Sequence, residues 1–255
     1  MPRDDVLLNA DTAAAIIGVP TGAGPERHTV TPAGRGIFIT FEGPDGAGKT
    51  TQLNALATRL RKTRQSNGDL LQVVTTREPG GTQTGKRIRS LLLDSSDARI
   101  GPQAELLLFA ADRANHVDEV IRPALDQGHW VLCDRFEDST RAYQGAGRSL
   151  PSDVVDSACR LGAQGMTPDL TLLLDVPPEV SAHRRNNRGG EDRMESAGTE
   201  FHESVRQEFL QLAASNPQRF LVLDGTRHPT EIHHQVWIHL ASQFLSPDTD
   251  HLDLG

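Results

Sequence analysis

The amino-acid sequence predicts an α/β fold of three layers, a five-stranded parallel sheet covered by helices on both faces. Three observations predict it. Apolar, strand-like runs alternate with stretches of helical periodicity, the first strand runs into a glycine-rich loop that opens a helix, and no internal repeat interrupts the pattern.

Taken in order, residues 1–35 hold one short apolar stretch, Ala13 to Val19, followed by Pro- and Gly-rich sequence through Gly34, and read as a flexible extension. Asp4 and Asp5 stand where a secretion signal carries basic residues, and no apolar run reaches the length of a membrane span. A cytoplasmic protein with no membrane partner is expected. The folded domain is expected over 36–246, with 247–255 a loose tail. Gly36–Glu42 is β-branched and aromatic enough for a buried first strand, and the helix after it, Thr51–Lys62, places Leu53, Leu56, Ala57 and Leu60 at helical spacing. Further strands are expected at Leu70–Thr76, His129–Cys133, Leu170–Val176 and Phe220–Leu223. Helices are expected at Gly85–Leu93, Ala104–Asp126, Ser152–Leu161, Pro178–Asn186, Thr199–Ala214 and Glu231–Phe244.

Between the first strand and its helix lies Gly43-Pro44-Asp45-Gly46-Ala47-Gly48-Lys49-Thr50, which completes G-x-x-x-x-G-K-[ST]. Glycines let backbone N–H groups converge on an anion at a helix N-terminus, where the macrodipole adds its positive end. Lys49 is placed to reach the β- and γ-phosphates of a nucleotide, and the Thr50 hydroxyl to ligate Mg²⁺. Only three of the 26 basic residues are lysines, so a lysine falls into such a motif by chance in roughly one chain in a hundred.

Ligands of a parallel sheet bind at the carboxyl ends of its strands, and those ends are chemically loaded here. The second strand leads into Arg77-Glu78-Pro79-Gly80-Gly81-Thr82 and the third into Asp134-Arg135. Asp134 suits the Mg²⁺ shell, and the planar fork of Arg135 suits a phosphate. Arg77 and Arg113 add positive charge, and Arg184, Arg185, Arg188 and Arg193 follow the fourth strand, threaded through Gly189-Gly190 as in a mobile lid, about 184–198. An arginine arriving on such a lid is worth about 10³ or more in phosphoryl transfer. The loop carries Gly46 rather than a basic residue at its centre, which makes an outside arginine more necessary. A net charge of −8 argues against a nucleic-acid partner held by bulk electrostatics. Cys133 and Cys159 lack metal-ligand spacing and read as apolar-site thiols, and His228, His233, His234 and His239 read as a solvated helix face.

Four ordered motifs carry a resemblance: Phe41 to Gln52, Thr76 to Thr82, Leu107-Leu108-Phe109-Ala110-Ala111-Asp112-Arg113, and Asp134 to Thr140 with Tyr143-Gln144-Gly145. Together they resemble bacterial thymidylate kinases, from about Gly36 to Phe244. The resemblance implies a P-loop NTPase-type fold, transfer of the γ-phosphoryl group of ATP to dTMP with Mg²⁺, and a homodimer. It implies ATP on Gly43, Asp45, Gly46, Ala47, Gly48, Lys49, Thr50 and Thr51, with Arg184 packed on adenine. For dTMP it implies Phe109 stacked on the base, Arg113 bonded to it, Ser139 and Gln144 near it, and Tyr143 crowding the sugar's 2′ position. Asp45, Arg77 and Arg135 fall at the acceptor's sugar and phosphate. Lys49, Arg135, Arg188 and Arg193 are the expected catalytic residues, and Thr50 and Asp134 the expected metal ligands. Arg141 stands where the family more often has an apolar or aromatic residue.

Three rival readings differ in what they need. A GTPase switch needs an N-K-x-D motif, and no lysine here follows an asparagine. A P-loop kinase for another nucleotide or nucleoside shares the loop and lid, but Phe109, Arg113 and Arg135 favour a pyrimidine monophosphate. A non-catalytic nucleotide-binding regulator would not need Lys49, Thr50, Asp134 and lid arginines together.

Overall fold

The computed structural model describes residues 34–65, 67–93, 100–186 and 197–245. The expectations for most of 1–35, for 247–255 and for Arg188 and Arg193 lie outside the described residues. Five parallel strands, β1 (Phe38–Glu42), β2 (Val73–Arg77), β3 (Trp130–Asp134), β4 (Leu170–Asp175) and β5 (Phe220–Asp224), form one sheet in the order β2-β3-β1-β4-β5. β1 is central, in register with β3 through Phe38 opposite Val131 and with β4 through Ile39 opposite Leu170. All five of its residues are buried, which fits its unbroken hydrophobic character better than alternation would.

Side chains nevertheless alternate between the faces. Ile39 and Phe41 enter a core with Leu53, Leu56 and Leu60 of α1 (Lys49–Leu60) and Val236 and Leu240 of α9 (Pro229–Phe244). Phe38 enters the opposite core with Val117, Ile121, Leu125 and Phe136, meeting the Phe136 ring edge-on at 5.1 Å. The remaining helices are α2 (Gln83–Leu93), α3 (Pro102–His116), α4 (Arg122–Asp126), α5 (Glu137–Thr140), α6 (Ser152–Ala163), α7 (Pro178–Asn186) and α8 (Thr199–Ser215).

The strands and helices expected from periodicity are all present, with boundaries moved by a few residues. The single helix expected over Ala104–Asp126 is instead α3, a π-helical stretch Val117–Ile121, and α4. Pro123 is the physical reason: it has no N–H to donate to Glu119, and its ring crowds that carbonyl, so the helix widens just before it. Between β3 and α6 the chain makes α5 and a second π-helical stretch, Arg141–Gly147, where the sequence shows no 3.6-residue apolar repeat.

The loop after β1 is held close to β4. Gly43 has φ +127°, and a Cβ there would lie 2.4 Å from the Leu174 carbonyl oxygen, so no L-residue fits without separating the loop from the sheet. Gly43→Ala is therefore expected to lower the thermal midpoint by about 5–10 °C, the response to a few kcal/mol of backbone strain in a chain of this size. Calorimetry checks it, and an unchanged midpoint would show that the loop is not pinned against β4.

Candidate active site

One cavity of about 530 Å³ opens at the carboxyl ends of the strands. Gly48, at φ +98°, precedes α1 with no side-chain cap, so the first amides of that helix are left for a ligand where residues 45–51 line the cavity. Lys49 is 6 % exposed and folds back on the loop, its Nζ donating to the carbonyls of Gly43 at 3.0 Å and Pro44 at 2.8 Å. Burial first, and then the positive charge of Arg135, pull its ammonium down to about 8. Thr50 donates its hydroxyl to Asp134 Oδ2 at 2.9 Å. Two hard oxygen donors thus adjoin the phosphate loop.

Arg135 occupies the centre. It is a non-glycine residue at φ +74°, a conformation that costs on the order of 1–3 kcal/mol and persists only when its surroundings fix it. Nη1 donates to the Gly43 carbonyl at 3.1 Å and Ser139 Oγ at 2.9 Å, while Nη2 donates to Asp45 Oδ1 at 2.7 Å and the Tyr143 hydroxyl at 3.1 Å. Burial works to raise the Asp45 carboxyl, but Arg135 and then Lys49 outweigh it and hold it well below the usual carboxylate range. Beneath lies Glu42, the last residue of β1, fully buried, accepting from the Phe136 amide at 2.7 Å and Ser139 Oγ at 2.5 Å. Burial, then the nearby Asp138 carboxylate, push Glu42 up to about 8.

On the β2–β3 side the cavity is lined by Arg77, Phe109, Arg113, Ser139, Tyr143 and Gln144. Arg113 is 1 % exposed. Its Nε donates to Glu78 Oε2 at 2.8 Å and its Nη2 to the Phe136 carbonyl and Thr140 Oγ1 at 3.1 and 2.9 Å, while Nη1 is buried with no partner among the described residues. An orphaned buried donor of this kind costs about 1–3 kcal/mol and marks a place for an acceptor. Glu78 also meets His116 Nδ1 at 2.9 Å, and His116 Nε2 meets Thr76 Oγ1 at 2.6 Å, so β2 and α3 are locked together behind the guanidinium. On the β4–β5 side, Arg184 of α7 donates to the carbonyls of Gly46 at 3.3 Å and Gly225 at 2.9 Å. Ser181 of α7 donates to the Asp45 carbonyl at 2.6 Å. A Cβ on Gly46 would lie 2.9 Å from the Ser181 carbonyl oxygen, which explains a bare glycine at the loop's centre: α7 packs there.

Apart from Arg188 and Arg193, which lie outside the described residues, the residues expected to bind nucleotide, acceptor or metal meet at this cavity, whereas Arg185 is buried against Ser181 Oγ and does not line it. Gly43 takes part through its carbonyl rather than as a lining residue. Arg141 pairs with Glu137 and Asp156, so the packing of Tyr143 is left to Phe201 and Phe209, at ring distances of 6.0 and 6.3 Å. Sequence reasoning gave no role to Glu42, Glu78, Glu105 or Ser181. A signal for one of these exists: Glu105, Phe109 and Arg113 follow one another at i, i+4 and i+8 on a single face of α3.

The sequence model of the family described as Thymidylate kinase matches residues 41–236. The chain belongs to the thymidylate kinase family. It is 49 % identical over 203 residues to the thymidylate kinase of Deinococcus radiodurans, covering 80 % of this chain and 95 % of that protein. It is 47 % identical over 207 residues to the thymidylate kinase of Bradyrhizobium sp. (strain ORS 278), covering 80 % and 89 %. The crystal structure of thymidylate kinase from Ehrlichia chaffeensis superposes with a TM-score of 0.66 at 35 % identity, over 81 % of this chain and 98 % of that one. Membership makes the chain a phosphotransferase of the nucleoside monophosphate kinase type, and its five-stranded parallel sheet flanked by helices is a P-loop NTPase fold.

The depressed Lys49 pKa has a sign that can be tested. Below about 8 the ligand-free ammonium is charged; above it the amine is neutral, and binding a phosphate has to take up a proton. Affinity for a nucleoside triphosphate is expected to fall above pH 8, approaching about tenfold per pH unit, because one proton is linked to binding. Calorimetric titration from pH 7 to 10 reads this, with proton uptake on the alkaline side, and the limb should vanish in Lys49→Arg. A flat profile in the native protein would contradict it.

Proposed function

We propose that this chain transfers the γ-phosphoryl group of ATP to dTMP, giving dTDP and ADP. The observation that carries this reading is one continuous cavity lined by the phosphate loop, Arg135 and Arg113, whose buried Nη1 has no partner among the described residues. A triphosphate on the loop and a pyrimidine on Phe109 would bring their phosphates together beside Arg135. The unpaired guanidinium nitrogen suits the O4 acceptor of thymine, whereas cytosine presents a donor at that edge. Stacking on Phe109 is worth roughly 1–3 kcal/mol and accepts any base, so recognition falls to such polar groups.

In this reading Lys49 leaves the Gly43 and Pro44 carbonyls for the β- and γ-phosphates, and Arg135 exchanges loop partners for the acceptor phosphate. Asp45 and Tyr143 keep Arg135 aimed during that exchange. Tyr143, which lines the cavity, would in this reading crowd a 2′-hydroxyl, as the family resemblance implies. Thr50 and Asp134 would hold Mg²⁺, their donor set being oxygen only, and the ion when bound neutralises phosphate charge. The kinase domain is assigned to 36–246, and Arg188 and Arg193, in the segment 184–198, would supply the lid's charge to the transferring group.

The first experiment is ADP production with ATP and Mg²⁺ across dTMP, dUMP, dCMP, UMP, dAMP, dGMP and thymidine. A strong preference for dTMP is expected, lost on chelation of Mg²⁺ and reduced by at least about 10³-fold in Lys49→Ala. Turnover of a different acceptor alone would sink the assignment of Phe109 and Arg113, and ATP binding without turnover of any acceptor would favour the regulator.

A homodimer belongs to the same proposal. Leu107 of α3 is 63 % exposed and Leu161 of the adjoining α6 is 51 % exposed, which leaves apolar surface on two helices packed side by side. Analytical ultracentrifugation should give twice the chain mass, and Leu107→Glu should shift it toward the monomer. A native monomer at tens of micromolar would refute the dimer.

A further inference from the structure

We infer that Glu105 fixes which end of the Gln144 side-chain amide faces the substrate base, and so sets the discrimination between a base with an N3–H and one with an N3 lone pair; this rests on the reading of the cavity as a pyrimidine monophosphate site. Glu105 lies in the first turn of α3 with no exposed surface. Its Oε1 accepts from Gln144 Nε2 at 2.8 Å, and the carboxylate pairs with Arg148 through Nε at 3.3 Å and Nη2 at 3.5 Å. A carboxylate engaged by a guanidinium offers acceptors only, so the amide nitrogen of Gln144 has to face it and the amide oxygen has to face away.

Gln144 is 1 % exposed and lines the cavity, and its Oε1 receives no hydrogen bond from a described residue. Arg113, two turns along α3 from Glu105, lines the same cavity, and its buried Nη1 is a donor with no partner among the described residues. The pocket therefore offers one donor and one acceptor. Thymine and uracil present the complement on adjacent positions, an acceptor at O4 and a donor at N3; cytosine presents the reverse at both. Arg113 has a fixed polarity, whereas a glutamine amide does not. Turned by 180°, Gln144 would offer N–H to the cytosine N3 as readily as its oxygen meets a thymine N3–H. Glu105 removes that choice without touching the substrate, which makes it a positioning residue.

The surroundings hold the carboxylate in place. The Arg148 guanidinium lies 4.9 Å over the Phe201 ring, and Phe201 packs against Tyr143. A Cβ on Gly147 would lie 2.5 Å from that ring, so the turn carrying Gln144 and Arg148 reaches Phe201 only because it has glycine there. The π-helical stretch Arg141–Gly147 brings Tyr143 and Gln144 into the cavity together.

The test uses Glu105→Gln in the full chain, with dTMP turnover and the competitive inhibition constants of dUMP and dCMP against dTMP. These two inhibitors share the sugar and phosphate and lack the 5-methyl group, so their ratio isolates the pyrimidine edge. The dCMP-to-dUMP ratio is expected to fall by about tenfold, the worth of one oriented hydrogen bond, mostly through tighter dCMP, while turnover of saturating dTMP changes little. A merely structural role would weaken both inhibitors together and leave the ratio where it was. Should Glu105→Gln fail to fold because Arg148 loses that carboxylate, Glu105→Gln/Arg148→Met removes both charges and is read instead, with the same ratio change expected. An unchanged ratio in a folded variant that phosphorylates dTMP overturns the inference alone. A native protein that does not phosphorylate dTMP overturns the underlying reading and the inference with it.

Discussion

Cations have to be buried here before the anions they serve have arrived, and the site is organised around that constraint. An unpaired charge in a protein interior costs several kcal/mol, and Lys49, Arg113 and Arg135 are all largely withdrawn from water. Each is held by groups that a phosphate or a base can replace or join. Lys49 rests on two loop carbonyls, Arg135 on one carbonyl, Asp45, Ser139 and Tyr143, and Arg113 on Glu78 with one nitrogen left over. The loop carbonyls are weak stand-ins for phosphate oxygens, so ligand binding can exchange them with little net desolvation. In the proposed transfer the carboxylates would remain and keep the guanidinium groups aimed while the carbonyls are exchanged.

The carboxylates are graded by position. Asp45, partly exposed and beside two cations, stays ionised, whereas Glu42, fully buried beneath the same arginine, is pushed toward the neutral form. The two ends of one short stretch of loop therefore carry opposite roles: Asp45 supplies charge to Arg135, and Glu42 supplies hydrogen bonds that tie β1 to the turn after β3. The left-handed backbone of Arg135 is tolerable because four side-chain hydrogen bonds and this buried tie fix the turn around it.

Helix α3 shows how one element serves fold and site together. Glu105, Phe109 and Arg113 run along one face, and Asp112 and His116 meet the turn after β2, where Asp112 accepts from the Gly80 amide at 3.0 Å. Gly81 and Gly85 have no room for a Cβ because His116 and Asp112 occupy that space, at 2.4 Å in each case. Gly81 of that turn and Gly85 of α2 are thus packing requirements of the helix that contributes Phe109 and Arg113 to the cavity.

Much of this was legible in the sequence because it is local. The β-branched run before Gly43, the spacing of Leu53, Leu56 and Leu60, and the residues at the strand ends follow from periodicity and from the short-range geometry of a phosphate loop, which depends on neighbours in the chain. Pro123 was visible too, but its effect was not, since whether a helix breaks or merely widens at a proline depends on what packs against it. The partners of the buried cations were not legible for the same reason: Glu105 reaches Gln144 across 39 residues, Glu78 reaches Arg113 across 35, and Asp45 reaches Arg135 across 90. By itself the sequence determined the order of elements, the loop and the family; the tertiary structure alone decided which acceptor each buried donor meets, because satisfying a charge in a low-dielectric interior is a property of the space around it rather than of its place along the chain.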